Sequence, residues 1–408
     1  MKKVIVVYLG DVFDAKEDLL EDQTPLEAAE TPFLDHIYSF SYNGSIANPN
    51  ILDSYAISSI LSMFLGIKKN QHSSFYLAKG MDCELKENDI IFKNNFVSLK
   101  PTAKSLSIMD PSGASLSVEE KLELTELLNS DLYKDEKESF YLKTSLGGDS
   151  VLVYSKENLD KKLVSFNEFH SPYEFVGREI DVYPKMQEQS KRFMYIMNES
   201  QMLMSKYPVV IEKSKDNFFI PNSIWFHEGS FVESLNVKFP LHPFKKSIVL
   251  SPNLIMKGFA STCEMQYLSN VENYTKTFEE NDFVFLDKEM SDKQLDPIEK
   301  VNEIQVLDKK IEKIAEQFAN VNANILFLFN YPYNMNNEKE KRCSFLLSEL
   351  KNGMFKLPQK KFTTFDLLCI FSNAISLPDL KSSGFIEGKF GERKNVSPMI
   401  LGSKLFKN

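Results

Sequence analysis

The sequence predicts an α/β protein whose main sheet is largely parallel and covered on both faces, interrupted by an inserted α+β module. Three observations carry that expectation. Short continuous apolar runs at 4–9, 247–250, 283–286 and 325–329 read as strands buried on both sides. Charge-rich helical stretches at 187–206 and 296–320 alternate with those runs. The block 102–177 has a different rhythm, one amphipathic helix followed by two alternating strands.

Each element has its local reason. Val4–Leu9 is apolar throughout and stops at Gly10-Asp11, as a central parallel strand does. Thr24-Pro25 with Glu27 is a helix start, with proline at the first helical position. Ala56–Leu65 is a helix with the polar pair Asp53 and Ser54 at its N-terminal end, where unpaired amides favour an anion or a nucleophile. The stretch 116–130 is an amphipathic helix with a Ser117…Glu120 capping box. Strands around Phe140–Thr144 and Val151–Tyr154 follow, joined by the turn Gly147-Gly148-Asp149. The last apolar run, Ile325–Phe329, ends in the polar corner Asn330-Tyr331-Pro332-Tyr333-Asn334. There is no internal repeat and no low-complexity tract.

Composition narrows the function. Hydrophobic content of 43% with 26% charged residues excludes wholesale disorder. A net charge of −9 argues against a nucleic-acid partner, which needs a basic face. No stretch approaches the roughly 18 apolar residues of a membrane helix, and the six-residue apolar run near the N-terminus is too short for an export signal. The four cysteines, Cys83, Cys263, Cys343 and Cys369, form no C-x-x-C and are expected as free buried thiols in a reducing cytoplasm. Neither glycine-rich nucleotide motif occurs.

Seven segments in order resemble the archaeal-type, cofactor-independent phosphoglycerate mutases of the alkaline-phosphatase superfamily. They are "DQTPLEAAETPFLD" (22–35), "ELKENDIIFKNNFVSL" (84–99), "YEFVGREI" (173–180), "NSIWFHEG" (222–229), "LIMKGFA" (254–260), "DFVFLDKEMSD" (282–292) and "ILFLFNYP" (325–332). The resemblance implies a doubly wound, mainly parallel core from 1–101 and 178–408, with a small α+β cap at 102–177. It also implies an ancestral chemistry in which two divalent metals, usually manganese, activate a serine that carries a phosphoryl group between positions of a phosphoglycerate. Carried over position by position, it makes Ser54 the candidate nucleophile and Lys257 a second candidate catalytic group. Lys93, Asn95, Arg178 and Trp225 become candidate substrate contacts. The metal positions fall on Asp11, Asp53, Asp292, Asp296, Asn330 and Tyr331.

The same comparison exposes the departures. The Ser-Asp order of the family nucleophile is inverted in Asp53-Ser54, and one residue at a helix start turns a side chain by about 100°. Lys93 replaces an arginine and loses its bidentate fork. Tyr173-Glu174 replaces His-Asp, and Asp149 falls near a family arginine. Asn330-Tyr331 replaces a ligating Asp-His pair: the amide is nearly isosteric with Asp but uncharged, and Tyr331 and Tyr333 are expected to close the old cleft. The five histidines are His36, His72, His170, His227 and His242, whereas the family draws its metal-binding imidazoles from the later region.

Each retained residue also has a plain structural reading. A lone Trp usually packs in a core. Lys257 beside Gly258 reads equally as a surface lysine, and Asp11, Asp14, Asp287, Glu289, Asp292 and Asp296 as solvated strand-end residues. The expected function is a degenerate, non-catalytic relative that binds a phosphorylated small molecule or a protein partner, with no cofactor, nucleic acid or membrane involved. The alternative is an active mutase or phosphatase working through Ser54 with Mg²⁺ or Mn²⁺ on remodelled carboxylates. A third reading, a subunit of a larger assembly, rests on the 33 phenylalanines.

Overall fold

The computed structural model describes residues 3–10, 12, 17–47, 72–102, 105–134, 136–166, 169–176, 179–180, 190–215, 219–232, 244–270, 274–288, 295–318, 320–330, 342–351 and 354–356. The chain divides into two compact units, the first from Met1–Asn70 and Lys238–Asn408, the second Gln71–Val237.

The first unit opens with β1 (Lys3–Tyr8), α1 (Pro25–Ala28), α2 (Pro32–Ser39) and β2 (Tyr42–Ala47). The helix start at Thr24 is confirmed in detail, since Thr24 Oγ1 accepts from Glu27 N while Glu27 Oε2 accepts from Thr24 N. The helix is short, ending at Ala28. Pro32 lacks an N–H and pushes Thr31 out of the helical region, so the chain breaks and restarts as α2.

The second unit begins with α3 (Ser73–Gly80), β3 (Ile90–Pro101), β4 (Leu106–Asp110), α4 (Val118–Asp131), β5 (Glu138–Thr144) and β6 (Ser150–Lys156). It continues through β7 (Glu179–Ile180), α5 (Ser190–Met204), α6 (Pro208–Lys213) and β8 (Ser223–Phe231). Its sheet is antiparallel, and β3 is the hub, pairing with β6, β8 and β4. The capping box of α4 and the β5–β6 turn form as expected, with Gly148 at φ +90°. The expected insertion at 102–177 is too narrow. Its strand β6 pairs with β3, which precedes 102, and β3 pairs with β8, which follows 177, so cuts at 101 and 177 would sever a hydrogen-bonded sheet.

The chain then returns to the first unit with β9 (Ser247–Leu250), α7 (Leu254–Thr262), β10 (Gln266–Leu268), α8 (Tyr274–Glu280) and β11 (Phe283–Asp287). It ends with α9 (Pro297–Ala315), β12 (Ala323–Asn330), β13 (Arg342–Lys351) and β14 (Met354–Lys356). The sheet order is β10-β9-β11-β1-β12-β13-β14, with β2 also on β13. The run from β10 to β12 is parallel, and β13, β14 and β2 are antiparallel additions. Val4 to Tyr8 and Ile325 to Phe329 are all at most 1% exposed, which is why these strands are apolar without alternation. One face, with Ile5, Val7, Val284, Leu286, Ile325 and Phe327, packs on α1, α2, α8 and α9 through Leu26, Leu34, Phe278, Ile304 and Ile311. Cys83 and Cys263 are free and buried, as expected of them. Among the described residues no helix is long and apolar enough to cross a membrane.

One buried carboxylate ties these helices together. Thr31 offers α2 no side-chain cap; instead Asp308 of α9, 1% exposed, accepts from Leu34 N at 2.8 Å and Phe33 N at 3.2 Å. Removing it leaves orphan amides in the core. Asp308→Ala is expected to lower the unfolding free energy by about 2 kcal/mol, while Asp308→Asn, which keeps one acceptor, costs about half as much. Chemical denaturation of the three proteins side by side measures this.

Candidate functional site

In the second unit, β3 reads as a buried strand broken by three polar residues, Lys93-Asn94-Asn95. Lys93 lies opposite His227 of β8, and Asn95 opposite Trp225, so these four share a face. Lys93 is 8% exposed and His227 6%. A lysine so placed must be paired.

Its partner is supplied by an irregularity in β8. The register passes from Ile91↔Ser230 to Lys93↔His227, which leaves Glu228 and Gly229 together opposite Phe92. Glu228 takes a left-handed backbone at φ +48°. The extra residue re-aims a side chain that strict alternation would send to the other face. Gly229 makes the bulge possible: a Cβ there would lie 2.3 Å from Phe92 Cε1 and 2.4 Å from Phe166 Cδ1. Phe92 is itself clamped by Phe169, Phe193 and Phe226, with ring centroids 4.7–5.7 Å away.

The redirected Glu228 carboxylate meets Lys93 Nζ at 2.6 Å and accepts the Ser73 hydroxyl at 2.7 Å. Burial alone would raise this carboxyl, but the Lys93 ammonium and the neighbouring His227 outweigh it and hold it well below the ordinary 4.5. Asn95 Nδ2 donates to Pro111 O at 2.7 Å, so Asn95 Oδ1 accepts from His227 Nε2 at 3.1 Å. The other ring nitrogen, Nδ1, faces Glu228. It is buried without a hydrogen-bond partner and stands 3.7 Å from Glu228 Oε1.

A second ring of charge surrounds this centre. Burial on its inner side pushes the Asp149 carboxyl above its ordinary range although much of its surface is open, with Lys93 and Lys121 pulling the other way. Burial lowers Lys121 against the opposing fields of Asp110 and Asp149. Burial likewise raises the Tyr173 hydroxyl, with Asp110 adding to the rise and Asn95 and Ser112 opposing it. Two lysines, Lys93 and Lys121, thus face three carboxylates, Glu228, Asp149 and Asp110. The neighbourhood is charge-compensated, not a basic cradle.

Of the residues singled out from sequence, Lys93, Asn95, Tyr173 and Asp149 are brought together here. Trp225 takes the core reading: its indole N–H donates to His170 O at 2.9 Å and its ring packs with Val97, Leu99, Ile108, Ile180 and Phe175. Glu228, His227 and Ser73 were missed. The available signal was "FHEGSF", a charged pair before a glycine inside a strand, which marks a bulge.

In the first unit, Lys257 and Gly258 lie within α7, not at a turn, because Asn253 already caps that helix through Ile255 N at 2.8 Å. Asp296 is the N-cap of α9, accepting from Glu299 N at 2.8 Å. Asp287 corrects the solvated reading: it is 5% exposed and accepts the Ser251 hydroxyl at 2.6 Å. Asn330 is the last residue of β12, opposite Cys343. Asp11, Asp14, Asp53, Ser54, Arg178, Glu289, Asp292, Tyr331 and Tyr333 lie outside the described residues. Among the described residues no three His, Cys, Asp or Glu side chains form a metal-binding group.

The family model for 2,3-bisphosphoglycerate-independent phosphoglycerate mutase matches residues 74–210, a stretch inside the second unit. A "Probable 2,3-bisphosphoglycerate-independent phosphoglycerate mutase" of Geobacter sulfurreducens is 23% identical over 310 residues, 70% of this chain and 74% of its own length. The 2,3-bisphosphoglycerate-independent phosphoglycerate mutase of Pyrococcus furiosus is 23% identical over 268 residues, 64% of this chain and 62% of its own length. The solved PH0037 protein of Pyrococcus horikoshii shares the fold, with a TM-score of 0.56 at 16% identity over 87% of this chain and 91% of that one.

The Lys93–Glu228 pair makes a measurable claim. Glu228→Gln leaves a buried lysine without its counter-charge and is expected to destabilise the protein by about 3 kcal/mol at neutral pH. Because the folded-state pKa of Glu228 is depressed, the pair's contribution is complete above the ordinary value of 4.5 and fades as pH falls below it. The gap in thermal midpoint between native protein and Glu228→Gln is therefore expected to narrow on acidification; an unchanging gap excludes the assignment.

Proposed function

We propose that this chain, which belongs at low identity to the 2,3-bisphosphoglycerate-independent phosphoglycerate mutase family, is a non-catalytic member retained for binding. The single observation that carries the reading is the Lys93–Glu228 contact. Lys93 stands where the resemblance places a substrate-facing arginine, and its charge is already neutralised by a carboxylate at 2.6 Å inside the same unit. A phosphate approaching it must compete with a tethered, desolvated anion.

The donor set supports the same reading. Two transition-metal ions require imidazole nitrogen beside carboxylate oxygen. No histidine follows His242 in the chain. Among the described residues of the first unit the histidine is His36, exposed on α2 with its ring against Phe40. Asp296 is engaged as a helix cap, and an uncharged Asn330 ends β12. As a helix cap and an uncharged amide, Asp296 and Asn330 do not fit a dinuclear centre.

Protein produced with manganese supplied is expected to retain well under one metal ion per chain after gel filtration. With 3-phosphoglycerate and either Mn²⁺ or Mg²⁺ it is expected to show no turnover above that of Ser54→Ala. A tightly held stoichiometric ion, with turnover that disappears in Ser54→Ala, would replace this reading by a metal-dependent mutase or phosphatase with remodelled ligands.

A further inference from the structure

The long helix α9 of the first unit turns a patterned stripe to solvent. Its inner side is fixed by Ile304, Leu307, Asp308, Ile311 and Ile314, all buried. Opposite them, seven residues apart, stand Glu299, Val306 and Lys313, all exposed, Val306 at 41%. Seven residues are two turns less about 20°, so the three form one line of acid, apolar group and base. Beside it, again seven apart, run Glu303, half-buried, and Lys310, exposed. Glu299 gives one carboxylate oxygen to the Asp296 amide. Among the described residues no ion pair engages Glu303, Lys310 or Lys313.

That order of charge is self-complementary. A two-fold axis across α9 at Val306 lays a second copy of the helix antiparallel on the first. Val306 then meets its own copy on the axis, Glu299 meets Lys313 and Glu303 meets Lys310. On the other flank Asn302 faces Lys309, an amide and a cation, so like charges do not meet there. Lys300 and Glu312, which run in the opposite order, lie about 120° around the helix from Val306 and stay outside the contact. Acid early and base late also suits the helix dipole, but the dipole asks nothing of their angular position. We propose that this stripe of α9 is the contact surface for a second copy of the chain, packed as an antiparallel helix pair with Glu299–Lys313 and Glu303–Lys310 ion pairs around Val306. A helix of 19 residues is about 28 Å long, too small a surface for a permanent interface, so the association is reversible and salt-sensitive. It is independent of whether the chain turns over a substrate.

Sedimentation equilibrium of the full chain over a range of concentrations tests it. At low salt the native chain is expected to dimerise, and salt at about 1 M, which screens charges within about 3 Å, to weaken the association about tenfold. Glu303→Lys and Lys310→Glu are each expected to weaken it about tenfold or more, and the double exchange to restore it, because opposite signs again meet across the axis. Val306→Arg, which sets like charges on the axis, is a further disrupted variant. These side chains stand outside the core, so the substitutions leave the fold in place. A native chain that is monomeric at every concentration overturns the proposal. A dimer that Glu303→Lys and Val306→Arg leave intact also overturns it, since its interface then lies elsewhere. So does a double exchange that associates no better than the single ones.

Discussion

The second unit turns on one extra residue in β8. Glu228 and Gly229 together oppose Phe92, and the aromatic cluster around Phe92 leaves no room for a side chain at 229. Glycine therefore takes the close approach, and its neighbour takes the left-handed turn that restores the register. From that follow the direction of the Glu228 carboxylate, its pairing with Lys93 and Ser73, and the burial of a lysine in mid-sheet. A regular β8 would place Glu228 on the opposite face and take from Lys93 its contact at 2.6 Å.

The first unit solves a different problem. Its parallel strands are buried on both faces, so their polar groups appear where the strands end. There the side chains are engaged with the scaffold: Asp287 with Ser251, Asn253 and Asp296 as helix caps. Asp308 fastens α2 from across the helical layer. A carboxylate that accepts a hydroxyl or an amide at such a position contributes to stability whether or not it ever meets an ion.

Much of this was legible without coordinates. The apolar runs at 4–9, 283–286 and 325–329 became neighbouring parallel strands, since continuous apolarity has one common cause in such a sheet. The capping signatures at Thr24 and Ser117 both formed, because they depend on residues three apart. The break at Pro32 is equally local. The extent of the second unit was not legible: β3 and β8 are separated by more than a hundred residues, and pairing at that distance leaves no local mark. The Lys93 environment was not legible for the same reason, as a substitution at one position was visible while the carboxylate answering it lay on another strand.

By itself, the amino-acid order determined the fold class, the helix starts, the absence of imidazole beyond His242 and the family likeness, since these depend on residue identity and short-range pattern. Only the tertiary structure decided that Lys93 is paired, that Trp225 is core, and that Glu228 is turned inward. Those outcomes rest on cross-strand register and on the space left by Phe92, and both come into being only when distant segments pack.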